Sequence, residues 1–180
     1  MTPKFPHWFI TLRRLIDGAT TALNVIGTLL ILAIMLLVNT DVIGRSLFGA
    51  PVSGVPEMVS MSIVAIVFLQ LAQTFRSGRL TRTEAVLNIL QSRAPRLHDA
   101  LEMLFAFAAI ALIWQLFNAS NALFVKAWLR GTFEGTIGDF TAPVWPVKLI
   151  ILIGCIALLA QLVMFATAAG FRLLGRKDAP

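Results

Sequence analysis

The 180-residue chain contains no tyrosine, one cysteine and two histidines, and only 13% of its residues are charged against 58% hydrophobic. Each shortage excludes something. A single thiol, Cys155, cannot build an intramolecular disulfide framework, nor the ligand set of a cysteine-rich zinc or iron–sulfur site. His7 and His98 fall outside or at the margins of the hydrophobic runs, so no two imidazoles are placed to hold a haem inside a bundle. No phosphate-cradling glycine loop, no H-E-x-x-H pair and no G-x-S-x-G elbow occurs. Nothing in the sequence is arranged for catalysis, and the chain is read as a non-enzyme with no metal or cofactor of its own.

The scarcity of charge is also uneven. Ala22 to Thr40, Met58 to Phe75, Met103 to Val125 and Leu149 to Phe171 contain no charged residue at all. A soluble domain of this length exposes too many residues to water to be this apolar, whereas in a bilayer the solvent itself is apolar. About 20 helical residues cross a hydrocarbon core about 30 Å thick. A backbone in lipid must also satisfy its hydrogen bonds within its own segment. The expected architecture is therefore an all-α integral membrane protein, one domain over 1–180, with spans at about 20–44, 57–76, 98–125 and 146–171. The positively charged start followed by an apolar run resembles a signal peptide. The run is longer than an h-region and lacks a small-x-small cleavage site, so it is read as a retained helix.

The net charge is +6. Basic residues are dispersed among the connections instead of gathered in a patch, which speaks against nucleic acid as a partner. Eleven Lys and Arg fall in the N-terminal segment, the second connection and the tail; four fall in the other two connections. By the positive-inside rule both termini are expected in the cytoplasm, with 44–57 and 126–148 outside.

Two shorter segments are amphipathic. Over about 5–17, Phe5, Trp8, Phe9, Leu12, Leu15 and Ile16 recur at helical spacing beside Arg13 and Arg14. Over about 80–94, Thr81 and Glu84 form a capping box and Val86, Leu87, Leu90 and Ala94 share a face, with Arg82 and Arg93 off that face. Both are expected as helices lying in the membrane interface. Trp128 and Trp145 mark the ends of the outer connection 126–148, where indole rings favour the membrane–water boundary, and that connection reads as a loop or short broken helix.

Charges nearest the membrane gather at the first hairpin. Asp41 and Arg45 are four apart and can pair along a helix end, and Glu57 opens the second helix, where a carboxylate complements the helix dipole. They either fix the hairpin or touch a partner or ion path. Asn24, Gln70, Gln73, Gln115, Asn118, Asn121 and Gln161 lie within or at the ends of spans, where amides act as modest glue between helices. Gly27, Ala65, Ala72, Ala108 and Gly154 permit close approach. Asp41, Arg45, Glu57, Gln70, Gln73 and Gln161 are the partner-interface candidates; Trp8, Arg13, Arg14, Arg79, Arg82, Trp128 and Trp145 are the interfacial anchors.

From Asn39 to Leu90 the chain resembles the small, DctQ-like membrane subunit of tripartite ATP-independent periplasmic (TRAP) transporters. The likeness is carried by Asp41-Val42-Ile43-Gly44-Arg45 closing the first span and by the turn Pro51-Val52-Ser53-Gly54-Val55-Pro56-Glu57. Gln70-Leu71-Ala72-Gln73-Thr74-Phe75-Arg76-Ser77-Gly78 ends the second span, and the basic segment Arg79-Leu80-Thr81-Arg82-Thr83-Glu84 follows. Thr141-Ala142-Pro143-Val144-Trp145-Pro146 and Gln161 extend it. Many members carry Gly-His-Ile and an acid after the second span, where this chain has Gly78-Arg79-Leu80 with Thr83 or Glu84 near the acidic position. The resemblance implies a multi-pass protein of the bacterial inner membrane. It implies a large multi-span subunit carrying the substrate and sodium sites and moving as an elevator, and a periplasmic protein delivering a small organic acid. The small subunit would then be a non-catalytic helper that supports the scaffold of the large one, with membrane lipid as its other neighbour. The competing readings are a self-contained homo-oligomeric transporter or channel, and a membrane enzyme or redox subunit.

Overall fold

In the computed structural model, residues 7–77, 95–135 and 140–175 are described. The chain forms four long helices: α1, His7–Phe48; α2, Val55–Arg76; α3, Pro95–Arg130; and α4, Trp145–Gly175. Two-residue strands β1, Phe133–Glu134, and β2, Ala142–Pro143, pair antiparallel between α3 and α4, Phe133 opposite Pro143 and Glu134 opposite Ala142. All four helices contain stretches long and apolar enough to cross a membrane.

The helices continue through lipid because the backbone must satisfy its hydrogen bonds within its own segment, and several polar side chains are satisfied there too. In α1 the hydroxyls of Thr20, Thr21, Thr28 and Thr40 each donate to the carbonyl four residues back, at 2.7–2.9 Å, and the Asn39 amide does the same at 2.6 Å. Such side chains carry no orphaned donor into an apolar medium. The stops are set by glycine and proline. Gly49, at φ 63°, takes the left-handed conformation that ends α1, and the Ala50 N–H turns back to the Gly44 carbonyl at 3.1 Å. Gly54, at φ 78°, precedes α2, which carries Pro56 and Glu57 in its first turn. Gly131, at φ 56°, follows α3.

The four helices form a row: α1 lies on α2, α2 on α4, and α4 on α3, while α1 meets α4 only lightly. Burial concentrates in the middle of the row. Ala65, Leu69 and Ala72 of α2 and Leu152, Cys155, Leu158 and Leu162 of α4 are buried, Ala72 packs with Leu158 and Leu162, and Ile110 and Ile113 of α3 close over these three. Gly154 sets the α2–α4 distance: a Cβ there would lie 2.5 Å from the Phe68 carbonyl oxygen. Gly27 lets α1 approach Leu69 and Gln70 in the same way. The outer flanks of α1 and α3 expose large apolar side chains, among them Leu29, Leu36, Leu112 and Trp114. Lipid solvates these as well as a protein core does.

Two expectations meet the structure differently. The segment 5–17 was expected as a helix separate from the first span; residues 7 to 17 are the opening turns of α1, which runs 42 residues without a break. No proline or paired glycine interrupts that stretch, so nothing forces a bend. At 1.5 Å per residue α1 is about 63 Å long, about twice a hydrocarbon core. The outer connection is shorter than read, because α3 continues to Arg130 and the β1–β2 ribbon occupies part of what remains. The expected helix over 80–94 lies outside the described residues.

Candidate functional site

The side-chain hydrogen bonds and ion pairs that join different helices among the described residues lie at the two ends of the row. At the end where α1 begins and α2 finishes, Asp17 is the centre. Its side chain is only 19% exposed, and its Oδ1 lies 3.1 Å from Arg76 Nε of α2. The same carboxylate oxygen accepts a hydrogen bond from Gln161 Nε2 of α4 at 3.0 Å. The second hydrogen of that amide goes to Thr20 Oγ1 at 3.1 Å. Arg76 also donates through Nη1 to Thr21 Oγ1 at 3.2 Å and to Gln73 Oε1 at 3.4 Å. Arg13 Nε stands 3.9 Å from the other carboxylate oxygen. Three helices thus meet on one carboxylate, through bonds that are stronger for being charge-assisted and partly shielded from water.

At the opposite end, Asp41 closes the α1–α2 hairpin. It is 7% exposed. Its Oδ2 accepts from Arg45 Nη2 at 2.8 Å, and its Oδ1 accepts the Val52 N–H at 2.9 Å. One side chain therefore pairs along its own helix and caps the chain 11 residues on. Phe140, before β2, lies directly against Gly54 of this turn, and its carbonyl lies against Gly135, so the two connections at this end interlock. Beside them Trp128 and Trp145 pack edge to face, centroids 5.0 Å apart at 84°, and Lys148 Nζ donates to the Leu123 carbonyl at 3.3 Å.

Between the two ends, residues 18–40, 58–75, 103–125 and 149–170 contain no charged residue. Among the described residues no three His, Cys, Asp or Glu side chains converge on a possible metal position. Residues 34–172 match the family model described as tripartite ATP-independent periplasmic transporters, DctQ component. The chain belongs to the DctQ family. It is a transporter component and not an enzyme. No curated protein and no solved structure matches it. The matched stretch of this DctQ chain holds Asp41, Arg76 and Gln161, whereas Asp17 and Thr20 precede it.

The residues singled out from the sequence fall into separate groups. Asp41 and Arg45 are bonded to each other. Gln161 and Gln73 both join the Asp17 junction, the first directly and the second through Arg76. Gln70 stands apart with its side chain against Gly27. Glu57 is half-buried in the first turn of α2, without an ion pair among the described residues. Arg13 reaches the Asp17 junction and Arg14 is exposed beside it; Trp8 lies in the first turn of α1. Arg79 and Arg82 lie outside the described residues. Asp17, Thr20, Thr21 and Arg76 are the members of the junction that are not among the candidate residues named from the sequence. The available signal was a carboxylate four residues after Arg13, at the same membrane edge as the arginine ending the second run.

Proposed function

We propose that this DctQ protein is the non-catalytic small permease subunit of a sodium-coupled TRAP transporter that takes up a small organic acid. It packs against the large membrane subunit and supports that subunit's scaffold in the bacterial inner membrane, with both termini in the cytoplasm. The sodium and substrate sites belong to the large subunit, and a periplasmic binding protein delivers the substrate. The observation that carries this reading is the use made of carboxylates at the membrane edges. Asp17 and Asp41, which flank the charge-free part of α1, are both committed to partners within the chain. A membrane carboxylate that takes part in ion coupling must be free to change partners during transport, and these two instead hold helices together. The exposed apolar flank of α3 supplies area for a large hydrophobic neighbour.

Affinity purification in mild detergent, from cells expressing the C-terminally tagged chain with its neighbouring genes, tests the reading. A much larger multi-span protein should come with it in fixed stoichiometry. Purified small subunit that transports an organic acid in liposomes by itself would overturn the assignment in favour of a homo-oligomeric transporter.

A further inference from the structure

Two arginines, Arg13 and Arg76, reach the single carboxylate of Asp17, and Arg14 follows Arg13 on the exposed surface of α1. Arg76 uses Nε on Asp17 and Nη1 on Thr21 and Gln73, which holds the guanidinium in place. Its Nη2 has no acceptor among the described residues, and the side chain is 36% exposed. Arg13, 62% exposed, stands 3.9 Å from Asp17, so its head is barely engaged. Arg14 is exposed and makes no ion pair among the described residues. The acids of α3 toward this end of the row, Asp99 and Glu102, stand on a helix that α4 separates from α1. An excess of fixed positive charge with free N–H donors therefore sits at the edge of the apolar part of α1.

The surface directly below is shaped for hydrocarbon. At 100° per residue, Gly18, Thr21, Val25 and Leu32 return to within about 40° of the Arg14 direction. At Gly18 a Cβ would meet nothing within 4 Å, which leaves a notch one turn below the arginines. Val25, Leu29 and Leu32 continue the same flank and are exposed. Phosphate-binding donors above, a notch at the level of an ester linkage, and an open apolar strip beneath match the three parts of a phospholipid in order. A protein acid meeting the arginines would explain the charge but not the notch and strip that continue into the bilayer.

We propose that Arg13, Arg14 and Arg76 bind the phosphodiester of one anionic membrane phospholipid, whose acyl chains lie along Val25, Leu29 and Leu32. Basic residues at a membrane edge between helices have the chemistry for such headgroups. The structural ion pair of Arg76 with Asp17 then has a second role, since it aims the free edge of the guanidinium at the lipid.

The test is native mass spectrometry of the full-length purified chain, delipidated and then given equal amounts of phosphatidylglycerol and phosphatidylcholine. One phosphatidylglycerol should be retained in preference to phosphatidylcholine. The double variant Arg13→Gln/Arg14→Gln, which leaves the Asp17–Arg76 pair intact, should lower that retention about thirty-fold, about fivefold for each arginine removed. Arg130→Gln at the other end should leave it unchanged. Excess inorganic phosphate should not displace the lipid, because it lacks the chains that the apolar strip holds. Retention independent of headgroup, or unaffected by the double variant, overturns the proposal. So does complete displacement by inorganic phosphate, which would make the site a simple anion site. A double variant that keeps its lipid but loses a co-purifying protein would likewise overturn it, and would assign the arginines to a protein contact. Far-ultraviolet circular dichroism and a single symmetric gel-filtration peak confirm that the variant compared is folded.

Discussion

Replacing Asp17 by alanine should loosen three helices at once. The side chain accepts from Arg76 Nε at 3.1 Å and from Gln161 Nε2 at 3.0 Å. Hydrogen bonds between membrane helices average about 0.6 kcal/mol and reach about 1.7 kcal/mol, and those to a charged acceptor belong at the upper end. The two bonds together are then worth about 2–3 kcal/mol. Removing one partner of a fully buried ion pair costs about 3–5 kcal/mol. That larger penalty does not apply, because Arg76 is 36% exposed and its freed guanidinium can turn to water. The expected loss for Asp17→Ala is about 2 kcal/mol, and for Asp17→Asn, which keeps an acceptor oxygen but no charge, about 1 kcal/mol. Reversible unfolding of the purified chain in mixed micelles of mild detergent and sodium dodecyl sulfate, followed by circular dichroism, measures both. A double-mutant cycle with Gln161→Leu adds the pairwise term, expected at about 0.5–1 kcal/mol. A loss under about 0.5 kcal/mol for Asp17→Ala, or a coupling indistinguishable from zero, would refute the claim that this carboxylate holds the row together.

Three further outcomes follow from the geometry. Gly154→Ala places a Cβ 2.5 Å from the Phe68 carbonyl oxygen and should destabilise by about 1–3 kcal/mol in the same assay, whereas Gly18→Ala, with open space around it, should be neutral or stabilising. Asp41→Ala removes the acceptor of the Val52 N–H and the partner of Arg45; amide exchange at Val52, read by nuclear magnetic resonance, should accelerate at least about tenfold for a loss near 1.4 kcal/mol. Gln161→Leu should lower stability by about 1 kcal/mol yet leave co-purification with a large membrane subunit unchanged, because that amide is already used inside the chain; loss of the partner at unchanged stability would refute this placement.

The spans were legible because lipid imposes a one-dimensional rule: a charge-free run of sufficient length is a helix. The Asp41–Arg45 pair was legible for a similar reason, since spacing of four along one helix fixes proximity. The Asp17 junction was not. Its partners are 59 and 144 positions away, and the register of one membrane helix against another leaves no mark in hydropathy. Nor was the order of the row. Gly27 and Gly154 stood out as small residues in apolar runs, but only the packed helices reveal that one admits α1 and the other admits α2 against α4. The unbroken α1 was misjudged because amphipathic spacing over 5–17 and uniform apolarity after 22 look like two segments, while the backbone has no reason to stop between them. Phe140 against Gly54 was hidden as well, since a lone aromatic in a connection gives no hint of which turn it covers.

The row order also dictates a sequence of events during synthesis. α1 and α2 are neighbours in the chain and in space, joined by a short turn that Asp41 can close as soon as both have entered the membrane. α3 has no such extensive earlier neighbour to rest on: its main contact is α4, which is made last. The protein is thus assembled with the α1–α2 hairpin complete while the rest is still being translated, and the final helix is the one that slots between α2 and α3 and brings Gln161 to Asp17. Two separately expressed halves, divided between residues 77 and 95, should therefore find each other in the membrane and co-purify, and α4 is the only helix whose deletion should leave both remaining parts without a common partner.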